Sequence, residues 1–357
     1  MSSRLDALTA AVSELELDAL LVTNVVNVRW LTGFTGSNAI AVVGAGTPRF
    51  VTDFRYLTQA AEQLDESWLR EISTELLRRA VEGLPTGRPL RLGFDDAQLS
   101  VKQHAQLVEI APEGVEPVAA GGVVEGLRAV KDADEIEAIR AACKLADDAL
   151  EEVLGAGLVG RTERDVALEL EIAMRHRGAQ DVAFAPIVAS GAHGALPHAA
   201  PRDVEIAAGT LVVVDWGAQL DGYASDCTRT FATGDLDPAD RAVYDLVLLA
   251  QEQALAAVRP GPTGKEVDAV ARTIIEQAGH GEHFGHGLGH GVGLEVHEGP
   301  RLSKQGSDPL AAGNVVTVEP GVYVPGAVGV RIEDLVVVTG DGHEVLSGMS
   351  KALRTVA

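Results

Sequence analysis

The sequence predicts an α+β protein of two domains, a smaller α/β domain over residues 1–125 and a larger domain over residues 126–357. Two observations carry this prediction. In the first region, short apolar runs alternate with helical patterns, as in a compact α/β domain. In the second, the helical patterns lengthen and a helix-then-hairpin segment occurs twice. The pair Gly121-Gly122 is typical of a linker and marks the boundary.

Composition and charge exclude several classes of function. The 357 residues are 46% hydrophobic and 23% charged, which is ordinary for a globular protein. A net charge of −23 disfavours nucleic acid or an anionic membrane as a partner, because phosphate groups would be repelled. No apolar run reaches the ~18 residues that a membrane span needs, and acids near the N-terminus do not fit a signal peptide. We therefore expect a cytoplasmic protein. Cys143 and Cys227 are too few for a disulfide framework or a thiolate metal site.

The elements of the first domain follow from apolar periodicity. Strands are predicted at Ala19–Val22, Ala39–Val43, Arg49–Thr52 and Leu90–Phe94, and helices at Leu5–Leu15, Glu62–Val81 and Val101–Ile110. The run Gly33–Asn38 resembles a phosphate-binding loop only superficially, because it lacks the lysine and the following helix of such loops. A plain loop that borders a cleft is expected there.

Two matching helix starts reveal an internal repeat in the second domain. Thr162 is followed three residues later by an acid and then by an apolar helical pattern that runs to about Arg177. Thr263 begins the same pattern 101 residues further on. Each of these helices follows another, predicted at 132–154 and 239–258, and precedes a hairpin that carries acids. The two halves are therefore expected to share one architecture.

A hairpin centred on Asp221-Gly222 brings two carboxylates together. This pair favours a two-residue turn, because both residues tolerate the positive φ angles that the turn demands. With the turn placed there, Gly217 lies opposite Asp226. Asp215 shares a face with Gly217, so its carboxylate is a diagonal neighbour of Asp226. Like charges in this arrangement require a proton or a cation between them.

The second hairpin repeats this arrangement. A loop centred on Gly326 sets Glu319 opposite Glu333, again on one face. Glu319 lies 104 residues after Asp215, and Glu333 lies 107 residues after Asp226, close to the spacing of the two helix starts. Burying four unpaired carboxylates would cost several kcal/mol per ion, which two divalent cations would offset. Oxygen-rich ligation favours Mn²⁺, with Co²⁺ or Zn²⁺ as alternatives if imidazole takes part.

Imidazole is available in the run HFGHGLGHGVGLEVHE, which begins at His283. His286, His290 and His297 are its candidate functional residues, since the interspersed glycines let the backbone and a ligand approach closely. The alternative is a flexible loop rich in histidine and glycine. Dinucleotide binding is poorly supported, because no βαβ unit begins here.

These motifs resemble those of the M24 metallopeptidases of the pita-bread fold. The matching segments are DWGAQLDGYASD, HGLGHGVGLEVHE, VEPGVY and RIED, in this order and spacing. The N-terminal region is similar to the creatinase-type domain of the proline-specific branch, which comprises aminopeptidase P and prolidase. The resemblance implies a pita-bread catalytic domain with a smaller N-terminal α/β creatinase-like domain.

The resemblance also implies roles for individual residues. Five match the ligands of a dimetal site: Asp215, Asp226, His290, Glu319 and Glu333. His198 and His297 match two histidines that face the substrate and would donate to the oxyanion. Glu319 would also pass a proton to the leaving nitrogen. His286 and Arg331 match residues beside the site and are assigned to substrate binding.

The identity of the substrate stays open between two activities. Aminopeptidase P removes the first residue from longer Xaa-Pro peptides, whereas prolidase cleaves Xaa-Pro dipeptides. Arg301 matches a position that binds the substrate carboxylate in prolidases, yet an arginine nearby also occurs in aminopeptidases. We favour Xaa-Pro aminopeptidase here, with Xaa-Pro dipeptidase as the alternative and proline-containing peptides as the partners of either enzyme.

Other members of the family fit less well. Methionine aminopeptidase lacks the N-terminal domain, and creatinase lacks the metal. A non-catalytic peptide-binding module is a remote alternative, since such modules have lost the ligands. By resemblance we also expect a homodimer, in which the loop at 34–38 would form one side of the cleft of a neighbouring subunit.

Overall fold

A computed structural model describes residues 3–357 and divides the chain into two compact units, one ending at Arg128 and one beginning at Ala129. Both units mix helices with strands, which confirms the α+β class. Residues 126–128, which the sequence pattern assigns to the second domain, complete a helix of the first unit. Among the described residues, no helix combines the length and apolar character that crossing a membrane requires.

The first unit is built on one sheet. In chain order it contains α1 (Ser3–Glu14), β1 (Ala19–Val22), α2 (Val25–Thr32), β2 (Ala39–Gly44), β3 (Arg49–Thr52), α3 (Leu57–Gln63), β4 (Leu69–Ile72), α4 (Leu76–Glu82), β5 (Leu90–Phe94), α5 (Val101–Ile110), β6 (Val115–Ala119) and α6 (Val123–Arg128). The strands lie in the order β4-β3-β2-β1-β5-β6. The central strand β1 is buried along its whole length, which explains its unbroken apolar sequence.

The helix predicted over Glu62–Val81 is wrong. In its place the structure has the end of α3, then β4, then α4. The chain leaves the helical conformation after α3, because the Asp65 carboxylate accepts a hydrogen bond from the Ser67 N–H at 2.8 Å and so forms a turn. β4 is a short edge strand whose Leu69 is 49% exposed, and its four residues give no clear alternation. Pairing with β3 decides its conformation, and such pairing is not encoded locally.

The second unit carries the repeat. In chain order it contains α7 (Ala133–Leu154), α8 (Glu163–His176), β7 (Asp181–Val182), β8 (Ile187–Ser190), β9 (Leu211–Trp216), β10 (Ala218–Leu220), β11 (Tyr223–Ala224), β12 (Cys227–Ala232), α9 (Pro238–Ala257), α10 (Gly264–Gln277), β13 (Gly289–Gly291), β14 (Glu298–Leu302), β15 (Val315–Val318), β16 (Gly321–Val324), β17 (Val328–Arg331), β18 (Asp334–Val338) and β19 (His343–Val345). α7 packs on α8, and α9 packs on α10. Thr162 and Thr263 cap α8 and α10, as predicted.

The first hairpin has the predicted register. Trp216 pairs with Cys227, and Leu220 pairs with Tyr223. Gly217 therefore lies opposite Asp226, at the point where β9 gives way to β10. The turn residues Asp221 and Gly222 have φ angles of 49° and 82°, as a tight hairpin turn requires.

The second hairpin also keeps one register from end to end. Val318 pairs with Asp334, and Gly321 pairs with Arg331, so Glu319 lies opposite Glu333 as predicted. The turn glycine, Gly326, has a φ of 74°. The regular strand pairing is interrupted at Asp226 in the first hairpin and at Glu319 and Glu333 in the second, whereas Asp215 stays paired with Thr228 within β9.

Strand alternation directs the acids away from the helices. In β9, Val212, Val214 and Trp216 pack into the apolar cluster of α7 and α8, so Asp215 points to the opposite face. In β15, Val316 and Val318 pack against α9 and α10 in the same way. Each half thus places its acids on the face that looks towards the other half.

Candidate metal centre

Three acids from the two hairpins meet inside the second unit. Carboxylate oxygens of Asp215, Asp226 and Glu333 lie within 4.8 Å of one another. Thr228 ties the halves together at this point, because its hydroxyl donates to Glu333 Oε2 at 2.7 Å and its carbonyl accepts from the Glu333 N–H at 3.1 Å. The juxtaposition therefore depends on direct hydrogen bonds between β12 and the segment before β18.

His290 and Glu319 extend this cluster. The Nε2 atom of His290 lies 3.3 Å from Glu319 Oε1 and 3.6 Å from Asp226 Oδ2. Its Nδ1 atom lies 3.1 Å from the Gly291 carbonyl, an arrangement that directs Nε2 towards the carboxylates. The Thr317 hydroxyl accepts from the His290 N–H and donates to Glu319 Oε1, both at 3.0 Å. All five predicted ligands thus lie in one continuous cluster.

The electrostatics of the three central acids favour a bound cation. Burial raises the pKa of Asp226 well above its usual range, and the negative charges of Glu333, Asp215 and Glu319 raise it further. Burial followed by the charges of Glu319 and Asp215 does the same to the pKa of Glu333. The buried Oδ1 atom of Asp215 has no hydrogen-bond partner within residues 3–357. Repelling carboxylates with an unpartnered oxygen are the donor set that divalent cations satisfy.

Glu319 differs from these three acids because cations surround it. Burial opposes its ionisation, but the hydrogen bond with His290 and the positive charges of His290, His286 and Arg331 outweigh burial and lower the pKa of Glu319 to about 2. Glu319 is therefore a carboxylate at neutral pH.

Arg331 donates hydrogen bonds to the cluster and to the residues around it. It is buried, and its Nη2 donates to Asp215 Oδ2 at 2.5 Å. Nη1 donates to the Tyr323 hydroxyl at 2.9 Å, and Nε donates to the Thr228 hydroxyl at 3.0 Å. Tyr323 in turn lies 3.0 Å from Nε2 of the half-buried His286. These contacts favour a role for Arg331 and His286 in holding the acids rather than in touching a substrate.

The remaining predicted site residues are exposed and lie around the cluster. The ring of His297 lies 4.4 Å from that of His290, centroid to centroid. Partial desolvation by its neighbours and the positive charges of His290, His198 and Arg301 lower the pKa of His297, so these side chains share one electrostatic environment. His198, His297 and Arg301 are all exposed, as groups that meet a ligand must be.

Sequence reasoning missed the hydroxyl groups of the site. Thr228 lies two residues after Asp226, and Thr317 lies two residues before Glu319. Because side chains alternate between the two faces of a strand, each threonine is expected on the same face as its neighbouring acid. That spacing could have identified both. Tyr323 had no such signal, since its contact with His286 joins two separate segments of the chain.

Comparisons with known proteins match this architecture over nearly the whole chain. Residues 4–130 match the Creatinase/Prolidase N-terminal domain, and residues 137–340 match Metallopeptidase family M24. The Xaa-Pro dipeptidase of Pyrococcus furiosus is 36% identical over 355 residues, which cover 99% of this chain and 100% of the relative.

Solved structures agree with these sequence matches. The Xaa-Pro dipeptidase from Bacillus anthracis superposes with a TM-score of 0.93 at 36% identity and covers 99% of both chains. The X-Pro aminopeptidase from Thermotoga maritima MSB8 gives a TM-score of 0.88 at 34% identity, over 97% of this chain and 100% of the other. The expected pita-bread domain with a creatinase-type N-terminal domain is thereby confirmed.

M24 metallopeptidases use divalent metals, and the acid cluster offers the oxygen ligands that such ions need. Together, the matched motifs, the two-domain fold and the cluster leave one assignment. The chain is a metallopeptidase that belongs to metallopeptidase family M24.

Proposed function

We propose that this protein is an Xaa-Pro dipeptidase that depends on two divalent ions. The observation that carries the proposal is the buried acid cluster, in a chain matched from end to end by enzymes named Xaa-Pro dipeptidase. The sequence motifs favour an aminopeptidase, but the comparisons support the dipeptidase alternative better. The Bacillus anthracis dipeptidase exceeds the Thermotoga maritima aminopeptidase in both identity and TM-score.

The proposed ligands form a mixed set of carboxylates and one imidazole. They are Asp215, Asp226, His290, Glu319 and Glu333. When bound, two divalent ions supply a lowered pKa for a water molecule and polarise the scissile carbonyl. We propose Mn²⁺, with Co²⁺ and Zn²⁺ as alternatives, because oxygen ligands dominate. Metal analysis of protein purified without chelator separates this proposal from a peptide-binding module, which would contain no stoichiometric metal.

Side chains in and beside the cluster would stabilise the oxyanion and transfer the proton. His198 and His297 are exposed beside the cluster, and each would donate to the oxyanion as the tetrahedral intermediate forms. A prolyl nitrogen has no N–H in the substrate and must gain a proton when it leaves. Glu319 lies in the cluster beside His290 and would take that proton from the attacking water and deliver it to the nitrogen.

Arg301 supports the preference for dipeptides. Its guanidinium is exposed near His297, so it would pair with the free carboxylate of an Xaa-Pro dipeptide. A tripeptide carries that carboxylate one residue further away. We expect kcat/KM for Ala-Pro to exceed that for Ala-Pro-Ala by at least about tenfold, or ~1.4 kcal/mol. The opposite order would make the protein an Xaa-Pro aminopeptidase, and rapid cleavage of Ala-Ala-Ala would exclude proline specificity.

An Arg301→Met variant tests the role of the guanidinium directly. Losing one charge-assisted contact should lower kcat/KM for Ala-Pro by about 10- to 100-fold. Cleavage of Ala-Pro-amide, which has no carboxylate, should change little. Lys304→Met is the matched control, because Lys304 is an exposed cation three residues away and should leave both substrates unaffected. Equal losses on Ala-Pro and its amide would contradict carboxylate recognition.

We also propose a homodimer, as the family resemblance implies. Phe54 and Leu57 are large apolar side chains that are 77% and 50% exposed. They flank Tyr56, whose ring lies 5.5 Å from that of Phe34 and whose hydroxyl lies 2.7 Å from the Ser37 hydroxyl. The exposed apolar side chains therefore adjoin the loop that is expected to face a partner.

Sedimentation equilibrium tests the dimer. A Phe54→Asp variant should weaken self-association, because the interface would have to bury a charge. Val101→Asp is the control, since Val101 is 87% exposed on a different helix and should not affect association. A wild-type protein that is monomeric and fully active at micromolar concentration would refute the proposal.

A further inference from the structure

A fully buried carboxylate lies outside the acid cluster, at the first position of α8. Glu163 is 0% exposed and accepts hydrogen bonds from both ends of one loop. Ser190 donates from its N–H and its hydroxyl, both at 2.8 Å. Arg202 donates from its backbone N–H at 3.1 Å and from Nε and Nη2 at 3.0 Å, while His193 Nδ1 lies at 2.9 Å. Although burial opposes it, this set of donors lowers the pKa of Glu163 to about 2.

The loop that Glu163 closes carries His198. Ser190 begins this loop and Arg202 ends it, so the carboxylate holds its two ends together. Near its middle, the Pro197 carbonyl accepts a hydrogen bond at 3.2 Å from Arg331, which also binds Asp215. Within the described chain, the exposed His198 ring makes no hydrogen bond. The place of that ring therefore depends on the backbone of the loop.

The other half of the repeat shows that helix docking does not need this carboxylate. Each half has the same pair of backbone hydrogen bonds at its helix start. In the first half, Glu163 N–H donates to Val204 O and Arg164 N–H donates to Arg202 O; in the second half, Gly264 N–H donates to Asp308 O and Lys265 N–H donates to Gly306 O. Gly264 corresponds to Glu163, and a Cβ atom there would lie 2.0 Å from the Arg301 carbonyl. One half thus packs its loop directly on the helix start, whereas the other half inserts a carboxylate.

We propose that Glu163 is a positioning residue for catalysis, which fixes His198 towards the substrate by closing the loop from Ser190 to Arg202. The proposal rests on the proposed function, in which His198 donates to the oxyanion. Glu163 itself touches neither the substrate nor the acid cluster. Its effect on turnover should therefore pass through His198 and should leave metal binding unchanged.

A double-mutant cycle between Glu163→Gln and His198→Ala tests this inference. In the wild-type background, Glu163→Gln should lower kcat for Ala-Pro by about 10- to 100-fold with unchanged metal content. In the His198→Ala background the same change should lower kcat by less than about twofold, because the group being positioned is absent. Thr162→Ala is the control: it removes the cap of the same helix and should lower Tm while kcat is retained.

A second variant keeps the test decisive if Glu163→Gln does not fold. Arg202→Met removes donors to the same carboxylate from a side chain that is 44% exposed, so folding should tolerate it. It should show the same dependence on His198. Equal losses in both backgrounds, or an unchanged kcat in folded Glu163→Gln protein, would overturn the positioning role. Full turnover by His198→Ala alone would instead overturn the proposed role of His198, and the inference with it.

Discussion

Asp226→Asn is expected to abolish binding of divalent ions and to lower kcat/KM for Ala-Pro by more than the ~100-fold that loss of an outer hydrogen-bond partner costs. Asp226 lies between Glu333 and His290, so the amide removes a charge at the centre of the proposed site. The fold should persist, because asparagine has the same shape and relieves repulsion. Metal content and Tm with and without Mn²⁺ provide the measurement, since only a protein that binds the ion is stabilised by it.

Asp147→Asn is the matched control for this variant. Asp147 is 8% exposed, compared with 6% for Asp226, and burial raises its pKa to about 6. Its carboxylate accepts a hydrogen bond from the Gly348 N–H at 2.6 Å and lies outside the acid cluster. Removing that charge should leave metal content and turnover unchanged. An Asp226→Asn enzyme with two metals and full activity would show that the ligands are misassigned.

His297→Ala and His198→Ala are each expected to retain metal and to lose about 10²- to 10³-fold in kcat, as removal of an oxyanion donor does. Both rings are exposed beside the cluster, where a substrate carbonyl would lie. KM should change little, because the lost contact develops only in the transition state. Steady-state kinetics on Ala-Pro, paired with metal analysis of the same samples, distinguishes a donor from a ligand.

The ring contact between His297 and His290 makes a control necessary. At 4.4 Å between centroids, truncating His297 removes packing as well as a donor. His297→Gln keeps a donor and part of the packing, so it should recover some turnover. His283→Ala removes a histidine of the same glycine-rich segment, whose Nδ1 lies 3.0 Å from that of His280, and should be without effect. Loss of metal from His297→Ala would move this residue into the ligand set.

The pairing of the acids within each hairpin was predictable from sequence because that geometry is set locally. Turn residues with positive φ fix the register of each hairpin, and strand alternation then assigns each acid to a face. The structure confirms both registers. The capped helices were predictable for the same reason, since Thr162 and Thr263 interact with residues three positions away.

The features that could not be predicted from the sequence depend on contacts between separate segments of the chain. β4 forms only because β3 lies beside it, so periodicity alone gave a false helix. The contact of Tyr323 with His286 and the hydrogen bonds of Glu163 join separate segments of the chain, and no local pattern encodes them. The choice between dipeptide and longer substrates has the same character, because it depends on what surrounds Arg301 in three dimensions.

The constant register across each interrupted hairpin makes the site depend on the length of its turns. Asp215 and Asp226 flank the turn at Asp221-Gly222, and Glu319 and Glu333 flank the turn at Gly326. Adding one residue to either turn would shift the returning strand by one position and rotate its acid to the opposite face. Adding two would restore the face. Both turns should therefore tolerate insertions by even numbers of residues far better than insertions by odd numbers.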